Sequence, residues 1–235
     1  MQIHKKFRSS FFALLLACAV LSARASITYS PGVNNINTII PDGDLTGVQS
    51  SLNLSGLAGT ITDVNVSLNI AGGFNGDYYA YLTHNSSLSI LLNRPGRTSS
   101  SSVGYPDGGF GPDSSANRFL FDDQAAHDVH LYRTFPFTLN AGELTGTWQP
   151  DGRAIDPLSS GATFDSAGRS AMLSLFNTAD PNGTWTLFVA DVSSGGEGTL
   201  VSWSMDITTS AIPEPSVAAF LVLGAVGAWI RRKRA

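Results

Sequence analysis

Four acids stand at the ends of apolar stretches: Asp77 in FNGDYYAYL, Asp122 and Asp123 in RFLFDDQA, and Asp191 in LFVADVSSG. A single Asp in such a place usually starts or caps a turn. Several of them converging from loops offer the hard oxygen donors that Ca²⁺ takes. Asp122 and Asp123 are adjacent and repel one another unless a cation, an Arg or backbone N–H groups offset them. The four are therefore candidates for a Ca²⁺ site, with turn formation as the alternative at each. DGDLTG (Asp42 to Gly47) opens like an EF-hand loop, with Asp at positions 1 and 3 and Gly at position 6. Position 12 needs a Glu and is Asn53, so the stretch reads instead as a turn entering a strand.

Catalytic chemistry finds less support. The histidines beyond the N-terminal segment are His84, His127 and His130, and serines and aspartates are plentiful. No G-x-S-x-G elbow presents a nucleophile, and none of the blocks that surround the triad of subtilisin-like proteases occurs. His127-Asp128-Val129-His130 lacks the H-E-x-x-H spacing and a third ligand. A Ser-His-Asp set exists on paper only, and the expectation is a protein that is not an enzyme.

The elements that would position these acids are strands. In ITDVNVSLNIAG, Val64, Val66, Leu68 and Ile70 share one face, while Asp63, Asn65, Ser67 and Asn69 share the other. That period of two marks a half-buried strand. GVQSSLNLSG, DYYAYLTHN, LSILLN, WTLFVAD and GTLVSWSMDIT behave alike, with polar turns between them. The fold class expected is all-β, a jelly-roll-like β-sandwich. A loop from Thr98 to Asn117 and a second excursion through LTGTWQPDGRAIDPLSSGATFDSAGR interrupt the pattern. Too few strands stand on either side of the first loop to close separate cores, so one domain with long excursions is expected. RSAMLSLFN reads as a short helix or irregular segment, with a strand as the alternative. Tyr78, Tyr79 and Tyr81 beside Asp77, with Tyr105 and Phe110 in the loop, could form an aromatic patch suited to glycans. The alternative is core packing, and at least half of them are expected there.

Charge is unevenly distributed. Of 14 Lys and Arg, eight lie in the two terminal segments, leaving residues 26–212 with six Arg, no Lys and 17 acids, a formal charge of −11. Such a body is a poor partner for nucleic acid, which needs a basic face. MQIHKKFRSSFFALLLACAVLSARA has a basic start, an apolar centre and Ala23-Arg24-Ala25, the pattern of a signal peptide cut after Ala25 by signal peptidase. Leu15-Leu16-Ala17-Cys18 also resembles a lipoprotein cleavage box. Cys18 is the only cysteine, so export is expected to yield a mature body that folds without disulfides. At the other end, the apolar run Val217–Ile230 is 14 residues long. A helix of that length spans roughly 21 Å, short of the roughly 30 Å bilayer core. Arg231, Arg232, Lys233 and Arg234 follow it and would stay inside.

Two resemblances gather these features. IPDGDLTGVQSSLNLSG, ITDVNVSLNI, GDYYAYLTHNSSLSILLNRPG, FDDQA and PNGTWTLFVADVSSGGEGTLVSWSMDI together resemble the P domain (P/Homo B domain) of proprotein convertases and their bacterial relatives. The likeness covers most of Ile39 to Ile207 and is loose between Asp128 and Asp180. It implies a β jelly roll over 39–209 after a short lead, 26–38, and an accessory role beside a subtilisin-like catalytic domain. It also implies Ca²⁺ binding in some members, with Asp77, Asp122, Asp123 and Asp191 at the recurrent acids. About 13 residues separate the signal peptide from IPDGD. No catalytic domain is expected in that space, and a serine endopeptidase activity carried over with the family has no support in these residues. The alternative role is an accessory partner of a separately encoded subtilisin-like endopeptidase. Pro213-Glu214-Pro215, the short apolar helix and the basic cluster, in that order over 210–235, resemble the PEP-CTERM sorting signal read by an exosortase. That resemblance implies transient anchoring in the inner membrane, cleavage near Pro213-Glu214-Pro215, and a place at the cell surface or in the extracellular matrix among exopolysaccharide or envelope proteins. A permanent single-span anchor is the alternative.

Overall fold

Alternation along the chain is translated into two sheets that share one core. The computed structural model describes residues 27–30, 32–112 and 117–210, together with Arg232. The signal-peptide residues, Cys18 among them, lie outside the described residues, as does the sorting signal apart from Arg232, which is exposed. Except for Arg232, the described residues belong to one compact unit, Ala25–Ile212. Among them no helix is long and apolar enough to cross a membrane.

The first sheet is built around two long strands. β1 (Ile27–Tyr29) and β2 (Asn34–Ile40) come first, so the residues read as a lead already contribute strand. β3 (Asp44–Leu54) follows and belongs to the second sheet, and β4 (Ile61–Gly72) returns to the first. β5 (Tyr78–His84) and β6 (Ser87–Asn93) form a hairpin across the turn His84-Asn85-Ser86-Ser87. Asn85 takes a φ of 53° there, a conformation Asn tolerates better than most residues. Short strands β7 (Gly109–Phe110), β8 (Phe119–Phe121), β9 (Leu139–Asn140), β10 (Glu143–Leu144) and β11 (Gly146–Trp148) lie in the two excursions. β12 (Gly183–Asp191) and β13 (Gly198–Thr209) close the chain of strands.

One sheet runs β1-β13-β4-β7-β10-β9, with β2 also on β13, and β8 bridging β4 and β11. The other runs β3-β12-β5-β6. β1 and β2 share one edge of β13: Ile27 pairs with Thr209 at one end, and Ile40 pairs with Gly198 at the other. The inward rows Val64, Val66, Leu68 and Ile70 of β4 and Trp203, Met205 and Ile207 of β13 are all buried. They join Trp185, Leu187 and Val189 of β12 and Ala80 and Leu82 of β5 in a single cluster. Each large side chain so buried contributes about 1.5–3 kcal/mol, and the core holds the sandwich-like arrangement without a disulfide. RSAMLSLFN resolves into an irregular stretch and a 3₁₀ turn, Leu173–Phe176.

The long loop is packed, not free. Gly76 N–H donates to Tyr105 O (2.8 Å), Asn75 N–H to Asp107 O (2.8 Å), and Tyr105 N–H to Pro95 O (2.9 Å). Gly76 and Gly104 approach so closely that a Cβ on Gly76 would lie 2.3 Å from Val103 O and 2.7 Å from Gly104 Cα. Two glycines are what this crossing requires.

Candidate functional site

The period of two continues one residue beyond the apolar row of β12. Trp185, Leu187 and Val189 point inward, and so does Asp191, the last residue of the strand. A carboxylate is thereby placed in the space between the sheets, with none of its surface exposed. Its Cα pairs with Tyr78 on β5 and with Asp44 on β3. Asp191 Oδ1 accepts from Ser193 N–H (3.2 Å), while Oδ2 is buried without a hydrogen-bond partner. Burial pushes its carboxyl up to about 6, Asp77 and Asp42 add to the rise, and the N–H groups of Ser193 and Gly43 oppose it.

Asp77 ends the 3₁₀ turn Asn75–Asp77 and leads directly into β5. Its carbonyl accepts from Val192 N–H (2.8 Å), which ties the turn to the residue after Asp191. Its Oδ1 meets Arg94 Nη2 at 3.2 Å, with both side chains almost fully buried. Arg94 Nε also donates to Gly76 O (2.9 Å). Burial raises the Asp77 carboxyl, and the Arg94 charge partly offsets the rise. Asp42, from the DGD turn, accepts from Gly195 N–H at 3.0 Å and so fixes the β12–β13 loop over the site. Three carboxylates thus influence one another with one guanidinium among them. Beside them opens a cleft of roughly 240 Å³, lined by Phe74, Val103, Tyr105, Pro106, Asp77 and Ser193.

Asp122 and Asp123 are not brought to this place. They follow β8, which pairs with β4 in the other sheet. Asp122 Oδ1 accepts from Gln124 N–H (2.7 Å). Asp123 caps the Leu173–Phe176 turn, accepting from Leu173 N–H (3.1 Å) and Ser174 N–H (2.8 Å). Backbone N–H groups therefore offset this adjacent pair. Among the described residues no group of three His, Asp or Glu side chains is arranged to hold a metal by itself. A cation at Asp77 and Asp191 would need main-chain oxygens or water to complete its shell, since Ca²⁺ takes six to eight oxygens. The orphaned Asp191 Oδ2 fits that donor type.

The aromatic patch expected around Asp77 is divided between interior and surface. Tyr78 and Phe110 are fully buried, and the Tyr78 hydroxyl donates to Gly72 O (2.8 Å). Tyr105 packs partly against the core and edge-on to Tyr132, at 4.7 Å between ring centres. Tyr79 and Tyr81 lie on the outward face of the second sheet with Phe188. Period two explains the split, because Tyr78 and Tyr79 must face opposite ways.

The histidines are structural in their contacts. His130 Nδ1 lies 2.7 Å from Asp151 Oδ2, and its Nε2 lies 3.0 Å from Arg97 O. His84 sits between Thr184 O (3.1 Å) and Asp180 O (2.7 Å) and stacks on Trp185 at 4.0 Å. His127 stacks on Phe135 at 3.9 Å. In a serine triad the imidazole faces a serine hydroxyl, and these rings face carbonyls, a carboxylate and arenes instead.

No protein-family model matches the chain, and no curated protein matches it. Among the solved structures that resemble it are two at 14% identity. One is the serine protease of Aeromonas sobria in complex with a chaperone, with a TM-score of 0.42 over 80% of this chain and 28% of the other. The other is that serine protease alone, with a TM-score of 0.41 over 79% and 27%. This chain spans under a third of the length of each. Likenesses this distant decide neither family nor activity.

Asp42 is the member of the site that sequence reasoning set aside. Its signal was the DGD stretch itself, weighed as a whole EF-hand loop and discarded when position 12 failed.

Proposed function

We propose that this chain is an exported, non-catalytic surface or matrix protein whose jelly-roll-like sandwich binds or scaffolds other envelope components. In this reading the pole formed by Asp42, Asp77 and Asp191 takes a divalent cation, with Ca²⁺ as the ion available outside the cell. The observation that carries it is the buried, unpartnered Oδ2 of Asp191 beside two further carboxylates and a cleft. A buried carboxylate with one oxygen left unpartnered is costly, and a bound cation lowers the cost by supplying the missing partner. Asp77 and Asp191 would hold the ion, and Asp42 would add charge from the turn.

Export, anchoring by 217–230 and release by an exosortase-type enzyme are supported by the order of the terminal features in the sequence. The strands' resemblance to P domains supports the accessory alternative, a module that docks on a separate subtilisin-like protease. Thermal unfolding of the protein purified from its native envelope tests the cation. A ligand bound only by the native state raises Tm. Millimolar Ca²⁺ is expected to raise it and chelator to lower it, with both effects lost in Asp191→Asn. An unchanged Tm would sink the cation reading. Co-purification of a subtilase from the same envelope would favour the accessory role over the scaffold.

A further inference from the structure

A second cleft, of roughly 210 Å³, lies between the turn after the Val129–Thr134 segment and strand β11. It is smaller than the roughly 300 Å³ at which drug-sized pockets begin, and suits a single small ring. Its lining includes His127, Phe137, Thr138, Thr145, Thr147 and Trp148 and carries no carboxylate, Lys or Arg. That is notable on a body with a formal charge of −11. Among the described residues, the ring nitrogens of His127 and the hydroxyls of Thr138 and Thr147 have no hydrogen-bond partner, so they are available to a ligand. Phe137 is 38% exposed. Its ring packs edge-on to Tyr132 at 5.6 Å, and the Arg133 guanidinium lies over it at 5.8 Å. Arg133 itself is committed to Asp107, with Nε 2.9 Å from Oδ2. Trp148 is locked by donating Nε1–H to Thr145 O (2.9 Å). The Thr145 hydroxyl is likewise spent on Thr138 O (3.1 Å), so the cleft is held in shape by contacts that leave the His127, Thr138 and Thr147 side chains unspent.

An arene beside unpaired hydroxyl and imidazole groups, with no charge, matches one chemistry well. A pyranose ring packs its C–H face on the negative face of an arene and offers hydroxyls around its rim. A charged sugar, a peptide terminus or a phosphate would find no counter-charge among the lining residues. We propose that this cleft binds a neutral pyranose unit of a glycan, with Phe137 as the stacking face and His127, Thr138 and Thr147 as hydrogen-bonding groups. The site is separate from the acidic pole, so it stands or falls independently of the cation.

The test is titration of the purified protein with cellotetraose, mannotetraose and chitotetraose, with tetragalacturonate as the acidic comparator, followed by calorimetry and tryptophan fluorescence. At least one neutral tetrasaccharide is expected to bind with a Kd of about 1 mM or tighter, in chelator as well as in Ca²⁺. Phe137→Ala and Thr147→Val, both at exposed positions, are expected to weaken it at least about tenfold with Tm unchanged. The proposal is overturned if none of the three neutral sugars binds, if only the acidic comparator binds, or if both variants bind as the parent does.

Discussion

Asp191 pairs with Tyr78 across β12 and β5, and each ends an inward row, Trp185, Leu187 and Val189 on one strand and Ala80, Leu82 and His84 on the other. The pair marks where the core ends and the acidic pole begins. Both groups are pushed upward by burial, and Asp191 raises the Tyr78 phenol further.

The first prediction concerns pH. The Asp191 carboxyl stands at about 6 in the folded chain against an ordinary 3.8. Because the folded value is the higher one, the native state binds this proton more tightly. Its contribution to stability is complete below about pH 4 and is lost as pH rises through 6. The loss is on the order of 3 kcal/mol. Asp191→Asn removes the titration, so in chelator the variant is expected to gain Tm over the parent at pH 7.5 and to gain little or nothing at pH 4. A difference between the two proteins that does not vary with pH contradicts this account.

The second concerns Arg94. Removing one partner of a buried ion pair strands the other charge, typically at a cost of about 3–5 kcal/mol. Asp77→Ala and Arg94→Ala should each lower the denaturant midpoint strongly. The double variant should cost less than the sum of the two. Additive losses would show that the 3.2 Å contact carries little coupling.

The third concerns the loop crossing. Gly76→Ala drives a Cβ into Val103 O and Gly104 Cα. Overpacking of this kind costs about 1–3 kcal/mol. Amide hydrogen exchange is expected to speed up at Tyr105, whose N–H is held by Pro95 O, while the β4–β13 ladder keeps its protection. Unaltered exchange at Tyr105 would mean that the loop yields without opening.

The fourth separates stability from binding at His84. The ring fills space against Trp185 and lies between two main-chain carbonyls. His84→Ala leaves a cavity and unpaired oxygens, with an expected loss of about 2–3 kcal/mol in chemical denaturation. Sugar and cation titrations should be unchanged, because the ring lines neither cleft.

The strands were legible because their signal is local. Val64 to Ile70 alternate in the sequence, and burial follows that alternation except at Ser67, which is buried where its hydroxyl donates to Phe119 O. Asp191 was legible for the same reason, as an acid in phase with Trp185, Leu187 and Val189. The grouping of acids was not legible, because it depends on which strands become neighbours. Asp77 and Asp123 look alike in sequence, yet one enters β5 and the other caps a turn 50 residues downstream. The neutral cleft was invisible for a related reason. His127, Phe137 and Thr147 belong to the loosely patterned middle of the chain, where short strands such as β11 are defined by a parallel partner and not by their own periodicity.

The edge of β13 has a mechanical consequence. β1 runs antiparallel to β13 with Ile27 against Thr209, so the sandwich is entered and left at the same end. A pull between those two points opens the β1–β13 ladder one rung at a time, as a zipper opens. It does not slide long strands past each other, and it leaves the second sheet without load. Gly198, at the far end of the same twelve-residue strand, lies about 36 Å away at 3.3 Å per residue. Tension at the Ile27–Thr209 end is thus spent before it reaches the pole where Asp42 holds the β12–β13 loop.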